Sequence, residues 1–196
     1  MSEPFFYQHL QQYLSLDAAT FSEVLRYFTV VEAERKAILQ HIGSPAQRLY
    51  FVSTGCMHLS LIDARGNEKT VQFAMEGWWL ADFLAFRTQQ VSAFQIQTIE
   101  PCRLLTITHA QQEALLAAHP AMERYFRSIY EIGYGAALRR IGLIFQHSKE
   151  EMYQQFRDQF PDFLNRVPQY LIASFLGLTP EYLSKLRGRE ANSDRS

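Results

Sequence analysis

The hydrophobic pattern of this 196-residue chain changes period twice, near residue 27 and again near residue 108, and those two switches limit the folds open to it. Between them the period tends towards two. Tyr27-Phe28-Thr29-Val30-Val31, Leu49-Tyr50-Phe51-Val52, Met57-His58-Leu59-Ser60-Leu61-Ile62, Thr70-Val71-Gln72-Phe73-Ala74, Phe94-Gln95-Ile96-Gln97-Thr98-Ile99 and Leu104-Leu105-Thr106-Ile107 each read as a strand. Alternate side chains of a strand point to opposite faces, so this period marks half-buried or fully buried sheet. The turns between them, Ser53-Thr54-Gly55 and Asp63-Ala64-Arg65-Gly66-Asn67, carry glycine. Short strands at regular spacing with glycine turns predict an antiparallel sandwich or roll. Before residue 27 the spacing of Leu10, Leu14, Leu16, Phe21, Val24, Leu25 and Phe28 is helical, and Asp17 or Thr20 suits the cap of a second short helix. From His109 onward the chain reads helical. The expected class is α+β.

Composition narrows the function. Apolar residues make up 47% and charged residues 20%, which suits a folded globule. The formal charge of −1 excludes a wholly basic nucleic-acid coat but not a local DNA-binding face. Two cysteines, Cys56 and Cys102, exclude a disulfide scaffold and argue against a structural zinc site or a four-thiolate cluster. Met1-Ser2-Glu3-Pro4-Phe5 is no signal-peptide start, and no apolar run reaches the ~18 residues of a membrane span. The expectation is a cytoplasmic protein with reduced thiols, no membrane partner and no cofactor.

A long helix is predicted from Pro120 to about Phe145, with Met122, Phe126, Ile129, Gly133, Ala136, Arg140 and Leu143 on one stripe. At ~1.5 Å per residue it spans about 39 Å, more than a small β domain can cover. A partner helix is the simplest cover. Gly133, Gly135 and Gly142 each cost roughly 1 kcal/mol relative to alanine in a helix interior. Close approach of a second copy would explain them, and a local bend is the alternative. The expected homodimer seam is Met122, Phe126, Ile129, Gly133 and Ala136.

Beyond the polar stretch 146–162, with Pro161 a boundary, a small helical module follows. Pro168 suits the opening of a first helix with Ile172, Ala173 and Leu176 inward. Gly177 supplies a left-handed helix end, Thr179 an N-cap and Pro180 the first helical position. Leu183 and Leu186 then face inward. This is the grammar of a helix-turn-helix. The outward residues Glu181, Tyr182, Ser184, Lys185 and Arg187, with Arg189 beyond, are types that reach bases or phosphates. Residues 163–196 hold five basic against three acidic side chains, a net of +2. A solvated surface helix is the competing reading of the charges alone.

At this point nearly the whole chain resembles the Crp/Fnr family of transcription regulators. The segment Gly177-Leu178-Thr179-Pro180-Glu181-Tyr182-Leu183-Ser184-Lys185-Leu186 is similar to the family's recognition-helix motif. Asp63-Ala64-Arg65-Gly66-Asn67-Glu68 and Glu76-Gly77 are similar to its roll turns. The resemblance implies a cyclic-nucleotide-binding-like β-roll with N-terminal helices over residues 1–118. A dimerisation helix over 119–146 and a helix-turn-helix over 147–196 follow. It implies double-stranded DNA as partner, with Glu181 and Lys185 at base-reading positions. Ser184 and Thr179 fall at phosphate- or base-facing positions, and Gln169 at a phosphate contact. Pro180 departs from relatives that carry a basic residue there, and the usual two-stranded wing is expected to be missing after residue 190.

The implied effector pocket departs further. Cyclic-nucleotide binders pair a glutamate with the ribose and an arginine with the phosphate. Here the matching residues are Asp82, then Val91, Ser92 and Ala93, with Arg87 four residues upstream of Val91. Val91 at the arginine position cannot neutralise a phosphate, so an unknown effector other than cyclic AMP is expected. Trp78, Trp79, Phe83 and Phe86 either line an apolar pocket or fill the roll, filling being the favoured reading. The histidines are scattered with no metal spacing, and no catalytic set is visible. Cys56 and Cys102 read as packed thiols, a redox role lacking support. The rival function is a degenerate roll that binds a small ligand or partner protein, with vestigial DNA binding.

Overall fold

The computed structural model describes residues 2–193, with side chains described for residues 3–188. Two helices open the chain, α1 (Ser2–Gln11) and α2 (Ala18–Leu25). Asp17 caps α2 by accepting from the Thr20 N–H. Eight strands follow: β1 (Thr29–Ala33), β2 (Ile38–Gln40), β3 (Arg48–Thr54), β4 (Met57–Ile62), β5 (Glu68–Ala74), β6 (Trp79–Leu80), β7 (Gln95–Thr98) and β8 (Cys102–Thr108). A short helix α3 (Phe83–Thr88) lies between β6 and β7. The C-terminal part holds α4 (His109–Ala118), α5 (Ala121–Gln146), α6 (Lys149–Gln159), α7 (Pro161–Arg166), α8 (Gln169–Leu176) and α9 (Pro180–Ser193).

The strands form two antiparallel four-stranded sheets, in the orders β1-β8-β3-β6 and β2-β7-β4-β5. The mixed α+β class and the antiparallel roll are thus as the sequence predicts. The pleat explains why β3 reads as one apolar run. Tyr50 and Val52 point into the space between the sheets, whereas Leu49 and Phe51 point outward beneath α1 and α2. Both faces are buried, so no polar alternation survives. Gly55 turns β3 into β4 at φ +101°, and a Cβ there would lie 2.6 Å from both the Pro101 carbonyl oxygen and Cys102 Sγ. Only glycine fits.

Each sheet is covered on its outer face. The first carries α1, α2 and the start of α5, where Trp79 Nε1 donates to the hydroxyl of fully buried Tyr125 at 2.7 Å. The second carries the C-terminal helices. Phe73, Cys56 and Ile99 of the roll share one apolar cluster with Phe163, Val167, Leu171 and Ile172. The helical module therefore has no closed core of its own.

Two expectations are corrected here. Met122 and Phe126, expected at a dimer seam, are 1% and 2% exposed inside the chain's own core, and Ile129 packs against the same cluster. The first turns of α5 face the roll because they follow directly on α4, which packs on β8. Trp78 does not fill the roll; it is 43% exposed and meets Phe160 edge-on. The long helix itself runs as predicted, with α5 starting after Pro120 and ending at Gln146.

Candidate nucleic-acid interface and effector region

The reader motif assembles from its own local chemistry. Pro168 precedes α8, and Gly177 ends it in the left-handed conformation at φ +66°. Leu178 N–H bonds the Ala173 carbonyl at 2.8 Å and Gly177 N–H that of Ser174 at 3.2 Å, the Schellman closure. Thr179 Oγ1 accepts from Tyr182 N–H at 3.2 Å and caps α9. Leu183 and Leu186 are buried against Ile172, Ala173 and Leu176, which leaves Glu181, Tyr182, Ser184 and Lys185 on the outer face. Arg187 is half-buried on the same helix, and Gln169 is exposed at the start of α8. The side chain of Arg189 lies outside the described residues.

Four polar groups that sequence reasoning gave no such role tie this motif to the rest of the chain. Arg140 of α5 donates to the Val71 carbonyl and, at 2.8 Å, to that of Phe175, with its guanidinium 4.1 Å over the Phe175 ring. Lys149 Nζ donates to the Gly177 carbonyl at 2.7 Å. Ser174 Oγ accepts from Thr70 N–H at 2.9 Å. Arg166 grips Glu76 with both terminal nitrogens, at 3.0 and 2.8 Å, and also donates to Glu100. Burial alone would raise the Glu76 carboxyl, but bonds from Arg166 and the Gly55 N–H hold it below the ordinary carboxylate range. No local signal marks these residues, because Arg140 meets Val71 across 69 positions and Arg166 meets Glu76 across 90.

The stretch matching a nucleotide pocket is closed on itself. Asp82 caps α3 by accepting from Ala85 N–H at 3.1 Å through Oδ1, while its Oδ2 accepts from Ser92 Oγ. Ser92 is buried and its Oγ also accepts from Phe94 N–H at 3.0 Å. Val91 is 61% exposed, Ala93 is exposed, and Arg87 sits exposed in the last turn of α3. The structure thus joins Asp82 to Ser92 and leaves Arg87, Val91 and Ala93 exposed. Trp79 and Phe86 fill the core below, and Phe83 stacks edge-on against Tyr130 of α5.

On α5 the exposed apolar residues lie further along than expected. Tyr130, Tyr134, Ala137, Ile141 and Ile144 recur at steps of four and three, the spacing of a coiled-coil seam, with Leu138 and Phe145 beside them. Gly133 is half-buried, Ala136 is exposed, and open space surrounds the Cβ position of Gly133, Gly135 and Gly142.

The thiols are quiet. Burial pushes Cys56 up to about 12, with Glu100 acting the same way, and pushes Cys102 up to about 11. Among the described residues no group of three or more His, Cys, Asp or Glu is placed to hold a metal ion, and no helix is long and apolar enough to cross a membrane.

Comparison with known proteins fits this architecture. Residues 30–119 match the family described as the cyclic nucleotide-binding domain. A search of curated proteins by sequence finds no match. Among solved structures, the chain is similar to FixK2 from Bradyrhizobium japonicum. That likeness has 14% identity and a TM-score of 0.74, over 85% of this chain and 86% of that one. It is similar to CLP from Xanthomonas campestris, a regulator described as responsive to c-di-GMP. There the identity is 16% and the TM-score 0.67, over 90% and 93% of the chains. The catabolite activator protein of Thermus thermophilus gives 17% identity and a TM-score of 0.58, over 93% and 87%. The roll is therefore similar to the cyclic nucleotide-binding domain over residues 30–119. The fold of the whole is that of the Crp/Fnr regulators, as the sequence motifs indicate.

Proposed function

We propose that this protein is a homodimeric, sequence-specific DNA-binding regulator of transcription whose roll senses an effector other than cyclic AMP. The observation that carries the reading is α9. Its inner leucines are buried, and Glu181, Tyr182, Ser184 and Lys185 stand exposed on the outer face beside half-buried Arg187. Glutamate accepts from cytosine amino groups, lysine reaches guanine or phosphate, and serine bonds either. The heptad-spaced face of α5 supports pairing with a second copy, which presents two readers about 34 Å apart on a near-palindromic site. The self-satisfied Asp82–Ser92 pair and exposed Val91 support an effector without a cyclic phosphate. A gel-shift titration on mixed genomic fragments tests the reading. Selective shifts that vanish on Lys185→Ala combined with Arg187→Ala are expected. A protein that shifts no fragment, or shifts all equally, returns the chain to the rival binding-module reading.

A further inference from the structure

The seam between the roll and the helical module is apolar at its centre, where Phe73 meets Phe163 and Phe175. Such contact is non-directional and would tolerate sliding. Its margin is different. Glu76 lies between β5 and β6 and Glu100 between β7 and β8, so two turns of the roll meet on one arginine, and a third, between β3 and β4, braces Glu76 through the Gly55 N–H. Arg166 is the last residue of α7, three positions before α8 begins. A planar guanidinium bound through two nitrogens fixes direction as well as distance.

The other end of the seam is fastened to a sheet edge. β5 is the outer strand of its sheet, so its free N–H and C=O groups need partners. Ser174 of α8 supplies one, taking Thr70 N–H and donating to the Glu68 carbonyl at 3.3 Å. The pairing of β4 with β5 steps from Leu59↔Gln72 to Ser60↔Thr70 and leaves Val71 as a bulge. The bulge carbonyl goes to Arg140, which also holds Phe175 of α8.

We propose that Arg166 is a positioning residue of the reader: by clamping Glu76 and Glu100 it locks α8 on edge strand β5 and so sets where α9 stands relative to α5. The proposal rests on the DNA-reading function above, and it makes the distance between the two readers of a dimer a property of the roll surface. Loss of the clamp frees the module on an apolar cushion without unfolding the roll.

The test compares the full-length wild type, Arg166→Met and Arg166→Lys by amide hydrogen exchange and by DNA binding. In Arg166→Met the amides of β5 and α8 are expected to exchange at least tenfold faster, with β3 and β8 unchanged, and Arg166→Lys falls between. On DNA the wild type is expected to prefer one half-site spacing over the same site lengthened by a base pair, and Arg166→Met to lose at least tenfold of that preference. Ser174→Ala, which leaves no charge unpaired, is expected to move both readouts the same way if Arg166→Met does not fold. Unchanged exchange at β5 and α8 overturns the clamp. Faster exchange with spacing preference intact overturns the positioning role. Absence of selective DNA binding in the wild type overturns the function above, and exchange then decides the clamp alone.

Discussion

Ser92 Oγ donates to Asp82 Oδ2 at 2.9 Å, so the two residues that the family resemblance places in a nucleotide pocket bond one another. Asp82 also caps α3 and Ser92 also holds Phe94 N–H, so opening this pair breaks several bonds at once. A buried charge-assisted partner contributes about 2–5 kcal/mol, tens- to thousands-fold in affinity. With Val91 where the family resemblance implies a phosphate-pairing arginine, calorimetric titration of the wild type with cyclic AMP is expected to give no saturable heat in the micromolar range. A micromolar isotherm defeats this account of the pocket.

The exposed face of α5 predicts how the chain assembles. Ile141→Glu places a charge in the heptad stripe and is expected to convert a dimer to a folded monomer in sedimentation velocity, with the far-ultraviolet circular dichroism kept. Met122→Ala, by contrast, opens a cavity under the roll and is expected to destabilise the fold by about 2–5 kcal/mol while the folded fraction remains dimeric. Equal effects of the two substitutions on assembly would contradict the division of α5 between roll and partner.

The outer face of α9 predicts a difference between two substitutions. Glu181→Ala is expected to relax selectivity at one base position by about 1–3 kcal/mol, because a base-edge acceptor is removed. Lys185→Ala combined with Arg187→Ala removes cations as well and is expected to weaken binding on all sequences. Affinities measured across single-base variants of a selected site check both.

His9 predicts an acid sensitivity. It is buried among Tyr13, Phe51 and Tyr125, and burial lowers it from 6.5 to about 4. The unfolded chain therefore binds the proton more readily than the folded one. Stability is expected to fall as pH drops below 6.5, to go on falling to about 4, and then to level, at a cost of at most about 3 kcal/mol. His58, also lowered by burial, adds in the same direction. Urea melts at pH 7 and pH 4.5 check it: His9→Phe is expected to flatten the dependence, and an unchanged slope excludes His9 as its source.

The two thiols predict inertness. With Cys56 at about 12 and Cys102 at about 11, the thiolate fraction at neutral pH is negligible and both sulfurs are buried. Mass spectrometry after iodoacetamide treatment is expected to find both unmodified in the native protein and both modified in denaturant. Rapid native labelling of either would reopen a redox role.

What the sequence determined by itself is whatever depends on near neighbours. The two-residue period of the strands, the left-handed end at Gly177 and the caps at Asp17 and Thr179 each arise within a few residues, so they are legible from residue type and spacing. The inward set Ile172, Ala173, Leu176, Leu183 and Leu186 follows from helical spacing in the same way. The stripe on α5 shows the limit. Spacing revealed an apolar face, but not that Met122 and Phe126 spend it on the chain's own roll while Tyr134 and Ile141 leave it open. Strand β2 and the two-residue β6 carry too few residues to show a period, and they exist because a neighbouring strand pairs with them. The Asp82–Ser92 bond, the hold of Arg140 on the β5 bulge and the clamp of Arg166 on Glu76 and Glu100 were decided only by tertiary structure. Each joins groups far apart in the chain, and a charge or hydroxyl carries no mark in the sequence of which distant partner the fold will bring to it.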